Sequence, residues 1–516
     1  MTKELGTVIS AQESPSTNEF YFVVNSKDVR KGQYVQVGKA SEPIIAIVSD
    51  LFSANRYFER PESIAEYEKN FAKTGGTFFD HFPVNDWEYL VAKCAVQGIY
   101  RKGSAPSRVA FPPSPGSKIV EASHEVIADF LQLDPEGLHL GKMLAHDLDV
   151  KVSLGKLLQK HLAILAMSGA GKSVLSTVII EELLSREKEK GRIGVVVFDV
   201  HGEYLSFADK RKNPEWAAKT EVIDGRKVRI ATHKLASKIH EYIPNVSAAQ
   251  ARDLAKAIRY LKETSKDEEG NPIPFDLHQV RAYVEANEEI KDNVKGPLLG
   301  AIEDIEKTRL FGKKDFPKAK DVVRPGGLTV FDLSTITDQR RRQIILAHFT
   351  NRLFNLRTKE KIPPFAVFVE EAHNFARENS KKGENASRHA IEKIAREGRK
   401  FGACLVLVSQ RPANLSTTAL AQCNTFCILR VTNPNDIKHI GESCEAMDAG
   451  ALSQITTLRV GEGVIIGEAT SSPVFVRIRM PKSAKSGRLG KLEDMAKKFE
   501  TEPSTILSDS DIDAFV

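Results

Sequence analysis

Residues 162–173 read Leu-Ala-Ile-Leu-Ala-Met-Ser-Gly-Ala-Gly-Lys-Ser: an apolar run, a turn of small residues and a helix start, in that order. No other stretch restricts the fold as much. Small side chains at Ser168, Gly169, Ala170 and Gly171 let consecutive backbone N–H groups turn inward around phosphate oxygens. Lys172 reaches the outer phosphates, and the Ser173 hydroxyl suits a magnesium ion. From Val174 to Leu184 apolar residues continue at helical spacing. Gly-Lys-Ser alone also fits an ordinary strand-to-helix turn, and the usual first glycine of the pattern is here Ala166, which asks for ordinary dihedrals. The apolar flanks on both sides favour a phosphate loop, with ATP and Mg2+ as the expected ligands.

A chain of 516 residues exceeds one ordinary core, so two or three domains are expected. The net charge of +6 is dispersed, which is compatible with a polyanionic partner without identifying one. Five cysteines, Cys94, Cys404, Cys423, Cys427 and Cys444, are an odd and sparse set that suits a reducing compartment rather than a disulfide framework. Cys423 and Cys427 are four apart and are predicted to share a helix face, but no second Cys or His pair completes a zinc site, so they read as core thiols. The start Met1-Thr2-Lys3-Glu4 has no signal-like apolar stretch, and no run of about eighteen apolar residues occurs. A soluble cytoplasmic protein with no membrane association is the expectation.

Residues 1–150 read as a small β-barrel, with β-type runs at 5–10, 20–24, 34–37, 44–48 and 89–100 separated by Gly, Pro, Asn and Asp turns. Residues 101–115, rich in Pro and Ser, read as a loop or linker. Over 151–482 strand and helix alternate. Strand candidates at 161–166, 193–199, 328–333, 365–369, 403–409 and 425–430 predict an α/β core whose largely parallel sheet is covered on both faces. The helix-rich residues 233–320 are too long for a loop and predict an inserted helical subdomain. Residues 483–516 form a C-terminal extension.

A phosphate cradle needs a magnesium-organising carboxylate at the end of a neighbouring buried strand and a base for the attacking water. Phe365-Ala366-Val367-Phe368-Val369-Glu370-Glu371 supplies both, because five apolar residues predict a strand buried on two faces with two carboxylates at its C-terminal end. Glu370 is expected to organise magnesium through water, and Glu371 to position or deprotonate the hydrolytic water. Asp199 and Glu203 end another strand; they either face the nucleotide, line a channel or serve as turn residues. Gln410 ends the strand Val406 to Ser409 and is the expected sensor of the γ-phosphate.

Residues 388–400 are predicted to be one helix on which Arg396 and Arg399, three apart, project together. One of them is either an arginine finger acting across a ring interface or a solvated cation. The polar segment before it, with Arg377, Lys381, Lys382 and Arg388, either grips a phosphate backbone or is an ordinary solvated loop.

The barrel-like start, the phosphate loop, Phe-Asp-Val-His-Gly-Glu-Tyr at 198–204, the helical insertion, Val-Glu-Glu-Ala-His at 369–373, Arg-Glu-Gly-Arg-Lys-Phe-Gly at 396–402 and Ser-Gln-Arg-Pro at 409–412 follow in one order. Over nearly the full length this resembles the HerA family of prokaryotic DNA helicase-translocases. The resemblance implies a RecA-like P-loop core of the FtsK–HerA group, an N-terminal HAS barrel and a homohexamer threading double-stranded DNA through its centre. It implies partnership with the NurA nuclease, and with the Mre11–Rad50 complex, in resecting double-strand ends. It also implies that Lys172 and Ser173 serve the nucleotide, Glu371 is the catalytic glutamate, Gln410 the sensor, and Arg396 rather than Arg399 the finger in trans. Two other readings stand beside it. A conjugation or secretion ATPase would share the motor but usually needs a membrane anchor, and a nucleotide-regulated DNA clamp would need the loop but not a water-positioning base, against which Glu371 speaks.

Overall fold

The computed structural model describes residues 3–10, 14–25, 28–38, 41–55, 58, 61–71, 88–243, 246–271, 273–380, 384–444, 447, 449–484, 493, 496–497 and 500. They belong to two compact units, the first Met1–Glu182, Glu371–Ser380 and Arg388–Met480, the second Leu183–Glu370, Lys381–Ser387 and Pro481–Val516.

In the first unit, β1 (Glu4–Ile9), β2 (Glu19–Val24), β3 (Tyr34–Val37), β4 (Ile44–Asn55), β5 (Glu88–Ile99) and β6 (Lys118–Glu121) close into a barrel in the order β1-β2-β5-β4-β3-β6. Period-two alternation drives it, since Phe20 and Phe22, Val35 and Val37, Ala46 and Val48, and Ala92 and Cys94 all point into one core. Closure leaves no edge strand with unpaired backbone groups. The strand β6 was not anticipated, because Lys-Ile-Val-Glu gives only two apolar residues to a pattern search.

The remaining strands are β7 (Leu138–Met143), β8 (Asp149–Val152), β9 (Leu162–Leu165), β10 (Gly194–Asp199), β11 (Thr220–Asp224), β12 (Ile230–Ala231), β13 (Phe311–Gly312), β14 (Leu328–Asp332), β15 (Phe365–Val369), β16 (Ala403–Ser409), β17 (Thr425–Leu429), β18 (Glu462–Gly467) and β19 (Val474–Ile478). Within the first unit they pair in the order β16-β9-β17-β18-β19-β7-β8. The strand β9 is parallel to both β16 and β17, whereas every pairing from β17 to β8 is antiparallel. The predicted parallel sheet therefore holds around the phosphate loop and gives way to an antiparallel flank. Residues 138–150, placed with the barrel by sequence, lie instead in this flank, because β7 pairs with β19. Their alternating apolar and polar residues look the same in a barrel and at a sheet edge.

Cys427 sits in β17 and Cys423 in the turn before it, so the predicted shared helix face is not present. All five cysteines are buried and unbridged.

Two buried histidines fasten the first unit. Tyr34 joins the barrel to the sheet, its N–H donating to His146 Nε2 at 2.8 Å and its hydroxyl to the Pro473 carbonyl at 3.0 Å. His161 Nδ1 accepts the Leu405 N–H at 3.0 Å, and Nε2 lies 2.8 Å from the Ala395 carbonyl. Both rings must be neutral to accept these bonds, and burial lowers each from the usual 6.5 to about 4. Depressed pKa values mean that the stability they contribute is complete above 6.5 and is lost as pH falls toward 4. At about 1.4 kcal/mol per unit of offset, acidifying from pH 7 to 4.5 is expected to cost the fold several kcal/mol. Melting temperatures across that range check it; a flat profile would rule out both histidines as acid-labile joints.

In the second unit β11-β14-β10-β15 run parallel, with every residue of β10, β14 and β15 buried. Phe198 and Phe331 stack across β10 and β14 with centroids 5.0 Å apart. The helical insertion expected at 233–320 contains helices Ala248–Thr264, Leu277–Ala286 and Asp292–Lys307. The first two open on capping boxes, Ser247 with Gln250 and Asp276 with Gln279, which satisfy N–H groups that the first helical turn leaves without partners. Among the described residues, no helix is long and apolar enough to cross a membrane, and no His, Cys, Asp and Glu cluster has the geometry of a metal site.

Candidate nucleotide-hydrolysis site

The phosphate loop hangs between two strand ends. Ala166 donates its N–H to the Ser409 carbonyl at 3.2 Å and Met167 to the Arg430 carbonyl at 2.9 Å, so the chain is still strand-like where the usual pattern has glycine. Ala166 has no positive φ, and its departure from glycine is therefore accommodated without strain. Left-handed backbone enters only at Gly169, φ 77°, and Gly171, φ 108°. A Cβ on Gly171 would lie 3.4 Å from both the Gly461 nitrogen and Leu429 Cδ2, while Gly461 N–H donates to the Ala170 carbonyl at 3.1 Å. Helix Lys172–Ser185 begins directly after, placing Lys172, Ser173 and Val174 in its first turn.

Glu371 is delivered by a tight turn at the end of β15. Its backbone is left-handed, φ 48° and ψ 46°, and it opens the 3-10 turn Ala372–Asn374. For a residue with a Cβ that conformation costs about 1–2 kcal/mol, and the Asn374 N–H bonded to the Glu371 carbonyl at 2.8 Å helps hold it. The turn brings Glu371 Oε1 to 2.9 Å from Lys172 Nζ, with both side chains largely buried. Nδ1 of His373 is 3.5 Å from Glu371 Oε2 and 3.1 Å from Ser409 Oγ. That hydroxyl also accepts the Arg411 N–H at 3.1 Å. Burial lowers the His373 pKa, with the Glu371 charge opposing it. Gln410 and Arg411 line a cavity of about 510 Å³ together with Met167, Ser168, Asn433 and Asp436.

Lys172, Glu371 and Gln410 thus lie in one unit around the loop. His373 and Ser409 belong to the same cluster and were missed, although both stand inside motifs quoted from the sequence. Their signal was position, two residues after one catalytic candidate and one before another.

Of the other candidates, some take one of the readings left open and some depart from expectation. Asp199 does not offer its carboxylate to a nucleotide: Oδ1 accepts the N–H groups of His201, Gly202 and Glu203 at 3.1, 2.7 and 3.2 Å, and Oδ2 that of Tyr204 at 2.9 Å. Burial raises its pKa and the four donors oppose the rise; this is a turn organiser. Glu370 is fully buried, and Oε1 accepts the Tyr204 hydroxyl at 2.5 Å.

The predicted helix 388–400 stops early. Helix Arg388–Glu397 ends in the 3-10 turn Gly398–Phe401, so Arg396 and Arg399 occupy different elements, both exposed. Arg396 lies 3.9 Å from Glu392. Arg388 is not free for a phosphate backbone, because Nε is 2.7 Å from Glu392, Nη2 3.4 Å from Glu378 and Nη1 3.1 Å from the Arg377 carbonyl. Arg377 is exposed, and its backbone bridges to Leu415. Lys381 and Lys382 lie outside the described residues.

With this geometry in place, two comparisons bear on identity. The domain family described as "Helicase HerA, central domain" matches residues 138–353. A DNA double-strand break repair helicase HerA of Sulfurisphaera tokodaii is 26% identical, over 92% of this chain and 92% of its own length. Over most of its length this chain is similar to HerA helicases. The family match begins at Leu138, the first residue of β7, in keeping with β7 belonging to the core sheet. A probable helicase of Methanocaldococcus jannaschii is 27% identical over 92% of this chain and 95% of its own length. HerA of Pyrococcus furiosus is 29% identical over 76% and 78%. The solved structure of VirB4 of Thermoanaerobacter pseudethanolicus matches 68% of this chain and 98% of that chain with a TM-score of 0.53 at 15% identity, a likeness of fold. The chain combines a RecA-like P-loop ATPase core with an N-terminal small barrel.

Proposed function

We propose that this protein is an ATP-dependent helicase or translocase that drives double-stranded DNA through a homohexameric ring and works with a NurA-type nuclease, and with Mre11–Rad50, in resecting double-strand ends. The observation that carries the catalytic part is the pairing of Lys172 with Glu371 at the open end of the phosphate loop. Loop, ammonium, hydroxyl and carboxylate are the donor set a magnesium–nucleotide needs, and the two left-handed glycines leave the loop without side chains in the way. Bound ATP–Mg2+ supplies the transferable phosphoryl and its charge neutralisation.

The residues of the chain do the rest. Lys172 exchanges Glu371 for phosphate oxygens, which leaves the Glu371 carboxylate to orient the attacking water and accept its proton. Ser173, in the first helical turn, would hold the magnesium. Gln410 senses the γ-phosphate from the end of β16. Arg396, exposed at the end of its helix, supplies charge to the neighbouring subunit's site, in keeping with the ring that the family resemblance implies. Arg377 is the described candidate for a DNA contact, with Lys381 and Lys382 beside it in sequence.

ATP turnover with and without linear duplex DNA, beside a native mass measurement, tests this reading. A several-fold stimulation by duplex and a six-subunit mass are expected. Unstimulated turnover by a monomer at every concentration would sink it.

A further inference from the structure

We propose that His373 is a positioning residue for hydrolysis, holding Glu371 by its second carboxylate oxygen and linking it to the strand end that carries Gln410; this rests on the reading of Glu371 as the water-activating group. The two oxygens of Glu371 face different groups, one bonded and one in looser contact. Lys172 Nζ is 2.9 Å from Oε1, and His373 Nδ1 is 3.5 Å from Oε2. Phosphate competes for the first group, since an ammonium at the end of a phosphate loop is attracted by the nucleotide's charge. It does not compete for the second. His373 lies on the same 3-10 turn that Glu371 opens, so its ring keeps its place relative to the carboxylate when Lys172 leaves.

The ring also has a second contact, and it leads to the sensor. Nδ1 is 3.1 Å from Ser409 Oγ, the residue immediately before Gln410, and that Oγ in turn accepts the Arg411 N–H at 3.1 Å. Lys172, Glu371, His373, Ser409 and the Arg411 backbone therefore form one string from the phosphate loop to both sides of Gln410. The charged groups facing the ring are Glu371, Arg411, Lys172 and Asp436, and burial lowers its pKa against the opposing charge of Glu371. A carboxylate can only accept, so a bond from the ring to Glu371 needs the tautomer with its proton on Nδ1, the atom that lies 3.1 Å from the serine hydroxyl. A shift of the Ser409–Arg411 segment on contact with a γ-phosphate would be transmitted to Glu371 through one imidazole.

Geometry also selects the test. Asn places an amide one atom beyond Cγ, where Nδ1 is, whereas Gln places it a bond further, nearer Nε2. In steady-state ATPase, His373→Ala is expected to lower kcat by about ten- to a hundredfold, the scale of a misplaced reacting group, with KM and the Kd for a fluorescent ATP analogue unchanged. His373→Asn is expected to recover to within a few-fold of the parent, and His373→Gln is not. Because His373 acts through Glu371, adding His373→Ala to Glu371→Gln should lower the residual turnover by less than about twofold, as for residues that work as one unit.

Parent-like turnover in His373→Ala would overturn the inference. So would a loss that Asn fails to recover and that multiplies with Glu371→Gln, which is the mark of general damage; melting curves of the Ala and Asn variants keep unfolding separate from either outcome. Near-normal turnover in Glu371→Gln would instead remove the reading on which the inference rests, so the two failures are told apart by which single variant stays active.

Discussion

Glu371→Gln is expected to bind ATP about as well as the parent and to hydrolyse it more slowly by a factor on the order of a hundred or more, the scale of a positioned general base. Gln keeps the shape of the side chain but cannot take a proton. Lys172→Ala is expected to fail differently, at nucleotide binding, because it removes the ammonium that meets the phosphates. The 2.9 Å pair adds a structural consequence to each change. Removing Lys172 leaves a buried carboxylate without its cation, a change that usually costs more than the pair contributed, so a lower melting temperature should accompany the binding loss. Equilibrium binding of an ATP analogue, steady-state turnover and melting curves on the two variants check all three statements. Near-normal turnover in Glu371→Gln would take that residue out of the chemical step.

A second large effect is expected from subunit mixing. Arg396→Ala and Lys172→Ala should each be inactive alone, yet mixtures should recover ATPase, because an interface between the two can combine an intact phosphate loop with an intact arginine. The arginine's contribution to turnover can reach about a thousandfold, so even sparse mixed interfaces will be visible. The structure favours Arg396 for this role in one respect: it ends a helix whose last turn His161 ties to the strand β16, through the Ala395 carbonyl and the Leu405 N–H. Arg399 lies on the following 3-10 turn. Recovery that depends on Arg399→Ala rather than Arg396→Ala would move the role three residues along. No recovery at any ratio, with mixing shown by native mass, would exclude action in trans by either.

Much of the site was legible because its chemistry is written in consecutive residues. The loop at 166–173, the buried strand ending in Glu370 and Glu371, and the strand ending at Ser409 each carry their own periodicity and terminus, and β15 and β16 span the residues predicted for them. The helical insertion was legible for the same local reason, with capping boxes at Ser247 and Asp276 marking where helices start. The antiparallel flank was not, because β7 finds its partner β19 across hundreds of residues and its alternation suits a barrel as well as a sheet edge.

The sequence by itself determined which residue types would meet a nucleotide, since backbone cradle, ammonium, hydroxyl and carboxylate must follow in set local spacings. Only the tertiary structure decided how each carboxylate is used. Asp199 and Glu371 both end buried strands and read alike in sequence, but Asp199 is consumed by four N–H groups of its own turn, whereas the left-handed backbone at Glu371 aims its side chain at Lys172 and His373. A hydrogen bond is fixed by distance and direction between atoms that the chain brings together from afar, and no local pattern of residues encodes that direction.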